Sequence, residues 1–527
     1  MRGQCWRGLP LILTSIPVLL LTPFPTQDGP AHLYAGHVIR HLGSVHYPAI
    51  DHAFEWSASA LSTWTVHETV SLLLGAMPSL WVETFLVLAF VGGLFWHFLF
   101  VAEDTEACFF PQCALPLFAM SFVLRMGFYS FCLSMPVALH TIALWTRDDV
   151  GLNARRLLVA GCLLAILPFL HILTAGWTFV LLGAASIASA ISERRVSLRE
   201  FGILAVSSLP LLAVAARYPE ASTAYTWERI GVRVAGLMAG GAFAGEGALW
   251  WSALPSLALL TLGALFLRDE QRNAFGAGRA ARRRLVVVVV ALLLALLMPE
   301  DGAGGAYIGV RCNLLFFLLL LVVLKTWRLP ARLDAALALT FLAFSLVHLS
   351  RLYVVLRPAS MAEREISDSA ALLHDHTKAL VVTAGDWMEV GTPTLATQTR
   401  PLLHAGDLLG VGADRTILSF YEGELSYFPV NFKRTASPFG ALFDRTLYGW
   451  TAPGVRWAAV PTWQGGVDYV GVWDEPHLLQ SADGARFKAM LCAHYEEVYR
   501  SASRPWVIYH LVKGESGTYP APAICGG

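Results

Sequence analysis

The sequence predicts an α-helical polytopic membrane protein of about eleven transmembrane helices, with an α/β domain at its C-terminal end. Three observations predict it. Of 527 residues, 56% are hydrophobic and 14% are charged, whereas a soluble chain carries about 25% charged residues, so lipid is the implied solvent. The apolar residues gather into runs long enough to span, or nearly span, a bilayer core. Beyond Arg357 the composition changes, and charged residues, glycine and proline return. Lysine plus arginine equals aspartate plus glutamate at 38 each, which leaves no global basic field of the kind that holds nucleic acid.

The apolar runs lie near 9–24, 80–101, 113–127, 128–146, 156–172, 173–190, 199–216, 248–267, 285–299, 311–327 and 333–353. The first follows Arg2 and Arg7 in the manner of a signal peptide, but no small-x-small cleavage site precedes QDGPAH, so it is read as a retained helix. The basic clusters at Arg2 and Arg7, Arg147 to Arg156, Glu193 to Arg199, Arg268 to Arg284 and Lys325 to Arg332 all fall on one side if every run spans. The positive-inside rule makes that side cytoplasmic. A multi-pass protein of the cell's inner (plasma) membrane is expected, with a cytoplasmic N-terminus and a periplasmic or extracellular C-terminal domain.

Two domains follow: residues 1–355, the transmembrane part with a large first external loop at 25–79, and residues 356–527, the external α/β part. Within the loop, WTVHETVSLLLGAM (Trp64 to Met77) is weakly amphipathic and reads as a helix lying at the interface. In the C-terminal part ALVVTA, DYVGVW and WVIYHLV read as strands, and ARFKAMLCAHYEEVYR (Ala485 to Arg500) as a helix. That part carries no Gly-rich phosphate loop, GxSxG elbow or zinc motif, and its expected task is to cap or shape a site above the membrane. Six cysteines lie in or beside apolar runs and read as small buried hydrophobes. Cys492 and Cys525 fall in the polar part, where an oxidising compartment would allow a disulfide.

The external segments hold the candidate chemistry. Immediately after the first run, QDGPAHLYAGHVIRHL places Asp28 in a Pro/Gly turn and opens a helix carrying His32, His37 and His41. Asp28 is either the N-cap of that helix or a carboxylate available for catalysis at the bilayer surface. The histidines, spaced by five and four, do not share one helix face; His37 and His41 could share a metal, but no acid stands at ligand spacing, so a divalent metal is not supported and no cofactor is expected. His32, Glu55, His67 and Glu68 are candidates for orienting an acceptor or supplying a second acid, against plain solvated or capping roles. Arg125, Arg217, Arg229 and Arg311 lie on the outer face and suit charge-assisted binding of a phosphate, against snorkelling to lipid headgroups. His171, between two short apolar runs, is costly at depth unless it is paired or faces a cavity. It either joins the phosphate site or bonds a neighbouring helix.

A first span followed at once by an acid in a large external loop, then many spans and an external C-terminal domain, resembles the GT-C superfamily of integral membrane glycosyltransferases. QDGPAHLYAGHVIRHL carries the sequence-level likeness, with FYSFCLSMPVAL after Arg125 and GGAYIGVR ending at Arg311 as lesser elements. The resemblance implies a GT-C-like fold, transfer of a sugar from a polyprenyl-phosphate donor at the outer face, and a catalytic first-loop acid at Asp28. The familiar DD, DE or DxD pairing is absent, since Gln27 precedes Asp28 and Gly29 follows it. That departure argues against a metal-dependent DxD site.

The expected function is therefore a membrane glycosyltransferase with Asp28 as general base and Arg311, Arg125, Arg217, Arg229 and His171 on the donor phosphate. Expected partners are the bilayer, a polyprenyl-phosphate-linked sugar and a glycan, lipid or protein acceptor. Two alternatives use the same architecture: a transporter or flippase for lipid-linked glycans, and a polymerase or ligase moving a whole glycan. Transporters carry internal repeats and midplane charges; neither is visible here.

Overall fold

The computed structural model describes residues 8–57, 64–100, 108–147, 154–217, 225–240, 250–273, 279–302, 306–383, 399–443, 454–481, 483–512 and 522–525. In chain order the helices are α1 (Leu9–Leu20), α2 (Gly29–His41), α3 (Pro48–Ala53), α4 (Trp64–Leu74), α5 (Ser79–Phe100), α6 (Phe110–Ala119), α7 (Phe122–Arg125), α8 (Tyr129–Thr146) and α9 (Ala154–Leu170). They continue as α10 (Ile172–Glu193), α11 (Leu198–Arg217), α12 (Ile230–Met238), α13 (Trp250–Asn273), α14 (Arg279–Leu297), α15 (Ile308–Leu324), α16 (Ala331–Ser369), α17 (Glu475–Gln480) and α18 (Gly484–His494). The strands are β1 (Phe54–Trp56), β2 (Thr377–Thr383), β3 (Arg415–Ile417), β4 (Val430–Phe432), β5 (Tyr469–Trp473), β6 (Tyr495–Arg500) and β7 (Trp506–Leu511).

Each of the eleven apolar runs carries a helix among the described residues: α1, α5, α6, α8, α9, α10, α11, α13, α14, α15 and α16. In hydrocarbon every backbone N–H and C=O must be satisfied within the segment, and a helix does that. Among the described residues, four stretches are long and apolar enough by length and composition to cross a membrane, at Ser79–Leu99, Ile172–Glu193, Leu198–Arg217 and Ala331–Leu372. The run at 113–127 breaks after Ala119 into α6 and the single turn α7, whose N-cap Ser121 accepts the Leu124 N–H. The last run extends well past 353, because α16 continues to Ser369.

The chain forms two compact units. The first comprises residues 1–20, 61–65 and 85–354, and the second residues 21–60, 66–84 and 355–527. One division falls near 355, and residues 21–60 and 66–84 group with the C-terminal residues.

The first unit is a helical bundle. One member of the basic run Arg282 to Arg284 turns inward: Arg283, 1% exposed, donates from Nη2 to both carboxylate oxygens of Glu200 at 2.7 and 2.8 Å, from Nη1 to the Trp145 carbonyl and from Nε to Ser189 Oγ. A buried ion pair is tolerable when its remaining donors are satisfied in this way. Asp334, in the first turn of α16, accepts the backbone N–H groups of Phe109 and Phe110 and so closes the start of α6.

The second unit is built on a five-stranded sheet of order β3-β2-β5-β7-β6. β2 runs parallel to β3 and β5, and β7 runs antiparallel to β5 and β6. The three strand expectations fall on β2, β5 and β7. The expected helix at 485–500 holds only to His494, after which Tyr495–Arg500 is strand β6. Tyr495, Val498 and Tyr499 suit a pleated edge beside β7 better than a helix surface, and pairing with β7 decides the outcome.

The loop joins this unit through two local devices. Strand β1 pairs antiparallel with β4, Phe54 opposite Phe432. Asp414 accepts the Ala49 and Ile50 N–H groups at 3.0 Å each, which caps α3 from the far end of the sequence. Tyr34 of α2 reinforces the join, donating to the Arg415 carbonyl at 2.7 Å and accepting from the Ile417 N–H. Cys492 and Cys525 are joined by a disulfide.

Candidate functional site

The site in the second unit grows from the turn that starts α2. Asp28 occupies the N-cap position, but its side chain makes no capping bond. The hydroxyl of Thr26 does that work instead, accepting the Gly29 N–H at 3.1 Å and donating to Glu83 Oε1 at 2.5 Å. The alternative reading of Asp28 as a helix cap is thereby corrected, because the neighbouring threonine satisfies the helix's first donor. Gly29 is required by space, since a Cβ there would lie 1.8 Å from Glu83 Oε1. Pro30 follows in the first turn, where its missing N–H costs nothing.

Asp28 is 6% exposed, so it is enclosed by protein. Gln27 Nε2 donates to its Oδ1 at 3.4 Å, and Gln27 Oε1 in turn accepts the Arg400 N–H. His404 Nε2 stands 3.6 Å from the same oxygen, and Tyr421, stacked on the His404 ring with centroids 4.3 Å apart, donates a hydrogen bond to the carboxylate. Burial pushes the Asp28 carboxyl up to about 7; His32 opposes the rise, Glu422 adds to it, and the bonds from Gln27 and Tyr421 temper it. Burial holds His404 down at about 3, so its imidazole is neutral at physiological pH. Asp407, in the 3-10 helix Ala405–Gly410, is raised well above the usual carboxylate range by burial and by Glu422.

One helical turn beyond Asp28, His32 meets two residues from distant segments. Its Nδ1 is 2.7 Å from Glu422 Oε1 and 3.1 Å from His67 Nε2, and His67 Nε2 is 3.2 Å from Glu422 Oε2. His67 on α4 is brought in by close helix packing, because Gly36 of α2 leaves no room for a Cβ against Val70 and the Ser71 backbone. Burial alone would raise the Glu422 carboxyl, but attraction to His32 and His67 and hydrogen bonds from both outweigh it and hold it down at about 2. These three residues form a group whose candidate ligand atoms all lie within 4.8 Å of one another, close enough to hold a metal ion. Two carboxylates of one unit are thus driven apart in acidity, Asp28 upward and Glu422 downward, which is how environments divide acid–base roles.

Other expected residues of this unit lie elsewhere. Glu55 is exposed on β1 opposite Asn431, and Glu68 is half-buried on α4 beside His67 but outside the triad. His37 is buried and donates to the Ala413 carbonyl at 2.9 Å; His41 stacks on Tyr47. Both serve packing of α2.

In the first unit the expected phosphate ligands separate into two groups. Arg311 is 7% exposed at the start of α15, its guanidinium 4.0 Å from the centre of the Phe128 ring and its Nη1 3.4 Å from His171 Nε2. His171 is the N-cap of α10, its Nδ1 accepting the Thr174 N–H at 3.2 Å. Nδ1 also lies 3.0 Å from Thr174 Oγ1, and since a guanidinium can only donate, the hydrogen bond from Arg311 makes Nε2 its acceptor when the ring proton sits on Nδ1. Arg125 is buried at the end of α7, while Arg217 and Arg229 are exposed at helix ends. Arg233, not anticipated from the sequence, is 4% exposed on α12 and paired with Glu228 at 3.4 Å and Glu300 at 3.1 Å. Part of the glycine-rich turn before Arg311, residues 303–305, lies outside the described residues.

No protein-family model matches the chain, and no curated protein matches it. Among solved structures it is similar to ArnT from Cupriavidus metallidurans in the apo state, with a TM-score of 0.54 at 11% identity over 97% of this chain and 98% of that one. The chain has an ArnT-like fold. The same ArnT bound to undecaprenyl phosphate gives a TM-score of 0.52 at 11% identity, over 96% of this chain and 97% of the other. The expected fold, a mostly helical chain with several apolar helices and a C-terminal sheet domain, is the one observed. An ArnT-like fold by itself does not select the reacting residues; they rest on the geometry above.

His404, Tyr421 and Glu422 were missed by sequence reasoning. They lie in stretches without a motif, 376 or more residues from Asp28, and only folding brings them to α2. The one local hint is the acidic, glycine-containing YEGE turn at Tyr421–Glu424.

Proposed function

We propose that this chain is a membrane glycosyltransferase of GT-C type, moving a sugar from a polyprenyl-phosphate-linked donor to a hydroxyl acceptor at the outer face of the membrane. The observation that carries the proposal is the Asp28 carboxyl, relieved of helix capping, enclosed by His404, Tyr421 and Gln27, and brought by burial to about 7. A base that titrates near the working pH is best placed to accept a proton during reaction. The ArnT-like fold supports the reaction class, and the ArnT structure with undecaprenyl phosphate supports a lipid-phosphate donor.

Asp28 takes the acceptor's hydroxyl proton as the acceptor oxygen forms its bond to the anomeric carbon. The bond from that carbon to the phosphate oxygen breaks, and polyprenyl phosphate leaves with the electron pair. A single displacement of this kind inverts the anomeric centre. The leaving phosphate gains negative charge, and the Arg311 guanidinium, with His171 beside it, suits it. The Cys492–Cys525 disulfide supports an oxidising compartment for the C-terminal residues, in line with the inside-positive loops, so the domain is assigned to the periplasmic or external side of the inner membrane.

The test is turnover by the full chain in lipid, with radiolabelled sugar on a polyprenyl-phosphate donor and a panel of glycan, lipid and protein acceptors. Acceptor-dependent release of polyprenyl phosphate supports the reading. Binding of lipid-linked glycan without release from any donor contradicts it and favours transport.

A further inference from the structure

We propose that His32, His67 and Glu422 bind a divalent transition-metal ion of the zinc class, and that the ion clasps α2, α4 and the turn at Tyr421–Glu424 together next to Asp28. The sequence alone argued against a metal, because none of these residues stands at ligand spacing from another; the site exists only in the fold.

Four observations carry it. Two imidazole nitrogens and one carboxylate are the mixed nitrogen and oxygen set that zinc takes, and they disfavour magnesium and calcium, which prefer all-oxygen sites. One atom of each imidazole points at the same place, since His32 Nδ1 and His67 Nε2 each contact both the other ring and the Glu422 carboxylate. The three separations, 2.7, 3.1 and 3.2 Å, are close to the ~3.4 Å edge of a tetrahedron with zinc–ligand bonds of about 2.0–2.1 Å, so small side-chain rotations open the site. Finally, the three side chains are enclosed: His67 is 1% exposed and Glu422 0%.

The burial adds to this. A carboxylate and two imidazoles are withdrawn from water with the two ring nitrogens 3.1 Å apart and both on the acid, so a cation at their common focus would be held by all three at once. Three protein ligands leave one position open, as in zinc sites that hold a water or an exchangeable ligand. The ion also has a mechanical consequence. His32 is one turn along α2 from Asp28, so a bond from α2 to α4 and to the Tyr421–Glu424 turn fixes the helix end that presents the acid and the turn that presents Tyr421.

The experiment is metal analysis of the full chain, purified in detergent through a tag without histidines, stripped with a chelator and re-equilibrated with zinc. About one zinc per chain is expected, and cobalt in its place is expected to give the visible d–d absorption of a four-coordinate site without thiolate charge transfer. His67→Gln and Glu422→Gln are expected to lose the stoichiometric ion, and His41→Gln, on the same helix but outside the triad, to keep it. Wild type that takes up no stoichiometric zinc or cobalt overturns the proposal, as does uptake undiminished in both triad variants. Should those variants fail to fold, the wild-type stoichiometry and cobalt spectrum decide alone. None of these readouts depends on sugar transfer, so the metal site and the catalytic reading fail separately.

Discussion

Nε2 of His404 lies 3.6 Å from Oδ1 of Asp28, yet the two do not form an ion pair at neutral pH. Burial holds the imidazole down at about 3, while burial raises the carboxyl to about 7. A neutral ring gives the carboxylate no full counter-charge from that side. The proposed role of Asp28 as proton acceptor draws on this, since the acid is not spent in a salt bridge with His404.

The first prediction concerns pH. In the proposed reaction transfer needs ionised Asp28, so the rate is expected to rise with pH, by about tenfold per unit on the acid side, and to level off above about 7. The groups that bear on Asp28 are His32, Glu422, Gln27, Tyr421 and His404. His404 and Glu422 titrate well below that window. A profile of kcat/KM from pH 5 to 9 checks it; a rate that rises on acidification contradicts it.

Arg311→Ala and His171→Ala are expected to weaken donor binding by about ten- to a hundredfold, the worth of a charge-assisted hydrogen bond of ~1.5–3 kcal/mol. Arg311→Lys keeps the charge but loses the planar fork and its stacking on Phe128, so only partial rescue is expected. Arg217→Ala and Arg229→Ala, at exposed helix ends, are expected to change affinity by less than about threefold. Titration with a polyprenyl-phosphate analogue in nanodiscs gives all five values.

Gly29→Ala places a methyl group where Glu83 Oε1 stands. Glu83 must then leave, breaking its bond to Thr26, at an expected cost of about 1–3 kcal/mol. Thermal unfolding in detergent reads it, and Thr26→Val, which removes the same hydrogen bonds without the clash, separates the two contributions.

Cys525→Ser opens the Cys492–Cys525 bridge and is expected to cost about 2–4 kcal/mol of stability in the C-terminal sheet domain. Reducing agent is expected to lower the wild-type melting temperature and leave the variant unchanged.

The membrane fold was legible because lipid imposes a one-dimensional rule: a long apolar run must satisfy its own backbone, so each run from 9–24 to 333–353 carries a helix. Asp28 was legible for a similar reason, since an abrupt switch from the apolar run into QDGPAH marks where the chain leaves the bilayer. Its surroundings were not. His404, Tyr421 and Glu422 approach α2 through Tyr34, Asp414 and the β1–β4 pair, contacts between residues more than 360 positions apart that leave no local periodicity. Arg283 read as one more cytoplasmic charge, because the sequence does not display its partner Glu200 on another helix. At Tyr495–Arg500 local helix propensity lost to pairing with β7.

The measurement that tests the central claim most directly is acceptor-dependent release of labelled polyprenyl phosphate by wild type and Asp28→Asn, side by side in the same lipid. Asparagine keeps the shape and cannot take the proton. Loss of about a hundredfold or more in rate, with donor binding and melting temperature retained, is the predicted result. Turnover by the asparagine variant at the wild-type rate would contradict the assignment of Asp28 as the base.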